Sequence, residues 1–210
     1  MFSDFVTILD LVGVAVFAAT GSLVASRKEM DLIGFGMMAT FTGIGGGTLR
    51  DVILDRPVFW IADQRYLLVC LTIAVLLFFF ASHVQKRYVV LIWSDAIGLA
   101  AFAVLGAEIA QSSGASPMVA IVLGMITATF GGLARDLVAG EPPLLLKQEI
   151  YATAALVSAT VYIITVDNTD IAPILAACIA IGIGFSIRAG AILFRWTLPR
   201  YRQRAGRNYK

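Results

Sequence analysis

Seven apolar stretches, each bounded by charged or turn-forming residues, divide this chain. They run over residues 5–25, 32–54, 66–82, 89–109, 117–139, 149–166 and 171–194. A helix needs about 20 apolar residues to cross the ~30 Å hydrocarbon core of a bilayer, so each stretch reads as one crossing. The cuts carry loop chemistry: Arg27-Lys28-Glu29 after the first stretch, Asp55-Arg56-Pro57 after the second, Gln111-Ser112-Ser113-Gly114 after the fourth, and Asp167-Asn168-Thr169-Asp170 before the seventh. Connections this short leave no extramembrane domain, and residues 1–210 read as a single membrane domain.

The second stretch does not look like ordinary helix. It contains Gly45-Gly46-Gly47 followed by Thr48-Leu49-Arg50-Asp51, and each glycine costs about 1 kcal/mol of helix propensity relative to alanine. Backbone groups freed there would find no water in lipid, and intramembrane charges face a bundle interior or a pathway. The expectation is a helix broken at its glycines in polar surroundings.

That stretch has a twin. Adding 85 to each number carries Gly46-Gly47-Thr48-Leu49-Arg50-Asp51 onto Gly131-Gly132-Leu133-Ala134-Arg135-Asp136, and also Asp10 onto Asp95, Gly13 onto Gly98, Phe17 onto Phe102, Gly21 onto Gly106, Thr42 onto Thr127, Pro57 onto Pro142 and Tyr66 onto Tyr151. Roughly a quarter of the positions from Asp10 to Ala74 match at this shift, the mark of a duplicated unit. Repeat one spans about residues 5–85, repeat two 89–168, the seventh helix 171–194 and a basic tail 195–210.

Composition agrees with the hydropathy pattern: 59% hydrophobic residues, 14% charged and a mean hydropathy of +0.86 lie outside the soluble globular range. Lysine and arginine sort by side. One side collects Arg27, Lys28, Lys86, Arg87, Lys147 and the cluster Arg195, Arg200, Arg202, Arg204, Arg207 and Lys210; the other has Arg56 and Arg65. The positive-inside rule then puts the N-terminus outside and the C-terminus in the cytoplasm of a cell with an inner membrane, with the tail resting on anionic lipid rather than on nucleic acid. The opening Met1-Phe2-Ser3-Asp4 has no basic segment, so the first span is expected to stay in the mature protein. Three spans is an odd number, so the second copy enters the membrane upside down. The fold class is an all-α integral membrane protein of seven transmembrane helices: two inverted three-helix repeats plus a seventh helix, with helices two and five broken at glycine.

Helical rise places Arg50 near the outer boundary and Arg135 near the inner one, with the glycine breaks bracketing the midplane roughly 12 Å apart. The expected partners are Asp10 for Arg50 and Asp95 for Arg135, supplemented by Asp51 and Asp136. The alternative pairs Arg50 with Asp136 across the repeat axis. At the breaks, unwound carbonyls near Gly45, Gly46, Gly47, Gly131 and Gly132, together with Thr42, Thr48, Thr127 and Thr129, would offer oxygen ligands to a transient cation. The plainer reading of the glycines is a close helix crossing, and that of the arginines is snorkelling to headgroups; Arg188 reads as a snorkelling residue.

His83 reads as interfacial, and Trp60, Trp93 and Trp196 as an aromatic belt. Cys70 and Cys178 read as packing residues. No nucleotide-binding loop, metal-ligand spacing or activated nucleophile is present in the sequence, so neither a cofactor nor an enzyme is expected.

The duplicated three-helix unit plus one, with Gly45-Gly46-Gly47-Thr48-Leu49-Arg50-Asp51 on span two and Gly131-Gly132-Leu133-Ala134-Arg135-Asp136 on span five, resembles the prokaryotic branch of the trimeric intracellular cation (TRIC) channels. The resemblance implies a homotrimer in the lipid membrane, one pore per protomer, a constriction at glycine-kinked spans two and five, and passage of monovalent cations, potassium before sodium. Phe130 stands where copy one has Gly45, so the two halves of such a pore are not equivalent and Phe130 narrows or gates it. The other readings are a secondary transporter of a small solute, which also uses inverted repeats, and a structural or lipid-binding membrane protein.

Overall fold

The computed structural model describes residues 2–83, 87–146 and 150–199. Lys86, Lys147, Arg200, Arg202, Arg204, Arg207 and Lys210, on which part of the side-to-side charge count rests, lie outside the described residues.

Every long apolar stretch is helical. The order is α1 (Phe2–Arg27), α2 (Leu32–Ile53), a single-turn α3 (Phe59–Ala62), α4 (Arg65–Phe80), α5 (Arg87–Ser112), α6 (Pro117–Val138), α7 (Ala152–Asn168) and α8 (Pro173–Phe194), with 3-10 turns at Ala81–His83 and Leu144–Leu146. Six of these are long and apolar enough to cross a membrane; α7 is apolar but shorter, at 17 residues. The side chain of Asp31 caps α2 by accepting from the Gly34 N–H at 2.7 Å, satisfying one of its unpaired donors. Prolines in the first turn open α6 and α8, where a missing N–H costs nothing.

The duplication extends into the loops. Glu29 and its twin Gly114, and Asp55 and its twin Gly140, all have positive φ. In each case the next residue returns a backbone hydrogen bond to the helix: Met30 to Ala25 and Ala115 to Ala110, Arg56 to Asp51 and Glu141 to Asp136. These are the same left-handed helix ends used twice, and the prolines that follow, Pro57 and Pro142, prevent the helix from resuming.

Four helices form the core. α1 packs on α2, α2 on α6, α6 on α5 and α5 on α1, while the diagonals barely touch. α4 covers α1 and α2; α7 covers α5 and α6; α8, which has no counterpart, covers α7 and α5. The repeat axis passes through the middle of the core, because twins meet there: Phe17 and Phe102 stack with ring centroids 5.1 Å apart.

One expectation is corrected. α2 and α6 are not broken at their glycines: helix runs without interruption through Gly45, Gly46 and Gly47 and through Gly131 and Gly132. The glycines permit contact instead. A Cβ on Gly46 would overlap the backbone carbonyl of Thr127, and one on Gly131 would overlap that of Thr42. These two contacts are each other's mates at the 85-residue shift. Removing the side chain lets two backbones touch, and in lipid such contact supplies the packing energy that water would otherwise drive.

Candidate functional site

Two buried polar networks lie at opposite ends of the α2–α6 pair, built from matching residues. At one end, Arg50 is 2% exposed and donates through Nε to Asp51 Oδ1 at 2.8 Å; the other Asp51 oxygen accepts the Phe59 N–H at 3.0 Å. At the other end, Arg135 is fully buried and donates through Nε to Asp136 Oδ1 at 2.8 Å, while Asp136 Oδ2 accepts the Leu144 N–H at 2.9 Å. Each aspartate thus ties its long helix to the short turn that follows, α3 in one copy and the 3-10 turn in the other. The sequence reading did not anticipate these turns; Pro57 and Pro142 are the signal that locates them. Burial excludes snorkelling for both arginines.

Their partners differ. Asp95 and Arg135 pair as expected, Oδ1 to Nη1 at 2.8 Å. Asp10 was expected to pair with Arg50, but the ion pair of Arg50 is with Asp51, and Asp10 accepts from the Tyr66 hydroxyl at 3.1 Å, close enough to Arg50 for their charges to interact. The cross-axis pair of Arg50 with Asp136 does not form among the described residues. Tyr151, the twin of Tyr66, is buried with its hydroxyl beside Asp95 and Gly132. Among the described residues, buried polar atoms without a hydrogen-bond partner include Arg50 Nη1 and Arg135 Nη2, one in each network. Such groups are costly away from water.

Arg188 was expected to reach for headgroups. It is buried at the Arg135 end, donates from Nη1 to the Ile150 carbonyl at 3.2 Å and lies over the Tyr151 ring at 5.1 Å. It escaped the sequence comparison because α8 lies outside the repeat and offers no twin.

Between the networks the surroundings are apolar rather than polar. The four threonines Thr42, Thr48, Thr127 and Thr129 donate to the carbonyls of Met38, Ile44, Leu123 and Met125, four residues earlier on their own helices. This leaves each hydroxyl oxygen its lone pairs. Beside the crossing lies an apolar cavity of about 480 Å³, lined by Phe41, Gly45, Thr48, Trp60, Phe130 and their neighbours. Trp60 donates to the Thr48 hydroxyl at 2.9 Å and lines this wall.

Each end is tied across the repeats. Arg27 and Lys28, at the end of α1, pair with Glu141 at 2.9 and 3.5 Å. The mate of Lys28–Glu141 is Ser113–Arg56, where Arg56 donates to the serine hydroxyl at 2.6 Å. In the loop at the Arg50 end, hydrogen bonds from Arg65 hold the Asp63 carboxyl below the usual carboxylate range. The Glu141 pairs are partly exposed, so Glu141→Gln is expected to cost no more than about 1 kcal/mol of stability. Thermal unfolding in detergent at low and high salt checks this; a much larger loss would make the strap a main support of the fold.

Comparison with known proteins decides the family. A family model described as glycine transporter matches residues 7–82 and 92–167, two segments that begin and end 85 residues apart. A solved structure, the TRIC trimeric intracellular cation channel orthologue from Rhodobacter sphaeroides, is 46% identical with a TM-score of 0.87, over 91% of this chain and 99% of that one. This chain belongs to the prokaryotic TRIC family. The likeness to TRIC proteins covers nearly the whole described fold. Two further relatives are a membrane protein of Vibrio cholerae, 38% identical over 92% of this chain and 82% of its own, and an inner membrane protein of Escherichia coli K12, 34% identical over 92% and 94%. The TRIC fold so identified is that of a multi-pass membrane protein, and the solved TRIC structures are ion channels, not enzymes.

Proposed function

We propose that this chain is a passive channel for monovalent cations, potassium foremost, assembled as a homotrimer with one pore in each protomer. The N-terminus lies outside, the C-terminus in the cytoplasm, and the chain crosses the membrane seven times. The likeness to solved TRIC channels supports cation passage and trimer formation. The charge bias of the loops supports the orientation.

The observation that carries the mechanism is the reciprocal contact of Gly46 with Thr127 and of Gly131 with Thr42. The same two helices bear the arginine networks, so a passage from one network to the other has to open at this crossing. In the conformation described, the crossing is shut backbone to backbone. Conduction then requires α2 and α6 to move apart, exposing carbonyls and the hydroxyls of Thr42, Thr48, Thr127 and Thr129 to a partly dehydrated cation. Asp10, Asp51, Asp95 and Asp136 offset the positive charge of Arg50 and Arg135 at the two mouths. Phe130 faces Gly45 across the cavity wall and makes the two halves of the gate unequal.

Purified protein in a planar bilayer with potassium chloride is expected to show unitary current steps. Saturable uptake of glycine into proteoliposomes with no steps would overturn the channel and support the transporter that the family description names. Phe130→Ala is expected to raise open probability or unitary current roughly twofold or more, as when an apolar constriction is widened. Unchanged traces would place the constriction elsewhere.

A further inference from the structure

The two turns that follow α2 and α6 match in position but not in how firmly they are seated. Phe59 of α3 and Leu144 of the 3-10 turn are twins at the 85-residue shift, and each gives its backbone N–H to the aspartate of its own network. Leu144 is 4% exposed, whereas no residue of α3 is buried and Ile61 is 65% exposed. A turn with so little apolar burial opens at low cost. What fastens it is the Phe59 ring. That ring lies in a slot that only a glycine leaves open: a Cβ on Gly47 would come within 2.6 Å of its edge. The ring meets Tyr66 edge-on with centroids 4.6 Å apart, and the Arg50 guanidinium stands 5.8 Å from its centre. At the other end, the matching slot over Gly132 receives the hydroxyl of Tyr151, which is 1% exposed at the start of α7. The Arg50 mouth is therefore covered by a side chain on a loosely attached turn, and the Arg135 mouth by one held in the bundle.

Resting on the channel reading above, we propose that Phe59 is a lid: cations pass the Arg50 mouth only when α3 swings out and lifts the ring from the slot over Gly47. The lid acts in series with the α2–α6 crossing. The same movement prepares the mouth electrically. With the lid down, one oxygen of Asp51 accepts from Arg50 and the other from the Phe59 N–H. With the lid up, the second oxygen is released to a hydrated cation just as the way opens. Lid and cation thus compete for one carboxylate oxygen.

Single-channel recording in symmetric potassium chloride tests this, with thermal unfolding of each protein in detergent measured alongside. Phe59→Ala is expected to raise the open-to-closed ratio about tenfold, the combined worth of one cation–π contact and one edge-to-face aromatic pair. The unitary current should stay unchanged, since the ring is out of the path whenever wild type conducts. Phe59→Leu, which keeps bulk but no ring, falls between. Gly47→Ala fills the slot and pushes the ring out, so it raises the ratio as well. When Phe59→Ala and Gly47→Ala are combined, the added methyl has no ring to displace, and the ratio stays that of Phe59→Ala. Leu144→Ala empties a buried position instead, so its unfolding midpoint falls and its ratio does not rise. If Phe59→Ala does not assemble, Phe59→Leu and Gly47→Ala decide. An unchanged or lower ratio in Phe59→Ala, effects at Phe59 and Gly47 that multiply in the double variant, or an equal rise in Leu144→Ala would overturn the lid while leaving the channel intact. Absence of unitary current in wild type and in every variant would overturn the channel reading itself.

Discussion

Replacing Gly46 or Gly131 with alanine is expected to destabilise the protein by about 3 kcal/mol, at the upper end of what overpacking costs. The methyl group would meet a backbone carbonyl of the facing helix, Thr127 or Thr42, and backbone cannot swing aside as a side chain does. The unfolding midpoint in detergent should fall by roughly 6–12 °C for a chain of this size. Gly45, three atoms of chain away, is the control: its Cβ would sit 3.9 Å from the Phe130 ring, ordinary contact, so Gly45→Ala should stay within about 0.5 kcal/mol of wild type. If all three alanines behaved alike, the glycine row would be acting through helix propensity and not through the crossing. Leucine at Gly46 or Gly131 would force the helices apart, so loss of current and loss of assembly would arrive together; alanine separates the two.

The second large effect is expected at Asp95. Its carboxylate and the Arg135 guanidinium are both fully buried and 2.8 Å apart, and removing one partner of such a pair typically costs about 3–5 kcal/mol because a charge is left in a medium that cannot solvate it. Asp95→Ala should therefore unfold far more readily than wild type, and adding Arg135→Met should recover part of the loss. Asp10→Ala should cost less, about 1–2 kcal/mol, because Asp10 is bonded to a neutral hydroxyl and Arg50 keeps its pair with Asp51. Thermal unfolding of the three variants checks the contrast. Equal losses at Asp10 and Asp95 would show that the two networks are tied in the same way after all.

The contrast also shows where reading the sequence stops. A shift of 85 residues predicts that Asp10 and Asp95 hold matching places, and they do. It does not predict which oxygen reaches which nitrogen, because that depends on distances of a few tenths of an ångström set by side-chain packing. Tyr66 and Tyr151 match at the same shift, but nothing in the sequence distinguishes their task from packing. Their hydroxyls lie beside the two buried aspartates, the one feature that separates them from packing residues.

The sequence by itself determined the helices that cross the membrane, their duplication and inversion, and the four charges that mark the ends of α2 and α6. These rest on run length, on a fixed shift along the chain and on the cost of bare backbone in lipid, all of which are one-dimensional. Tertiary structure alone decided whether the glycines break their helices or join them, because that depends on the carbonyl of a different helix 81 or 89 residues away in the chain. It alone decided that Arg188 turns inward. A helix outside the repeat has no internal reference for its rotation, and the packing of α8 on α5 and α7 sets that rotation.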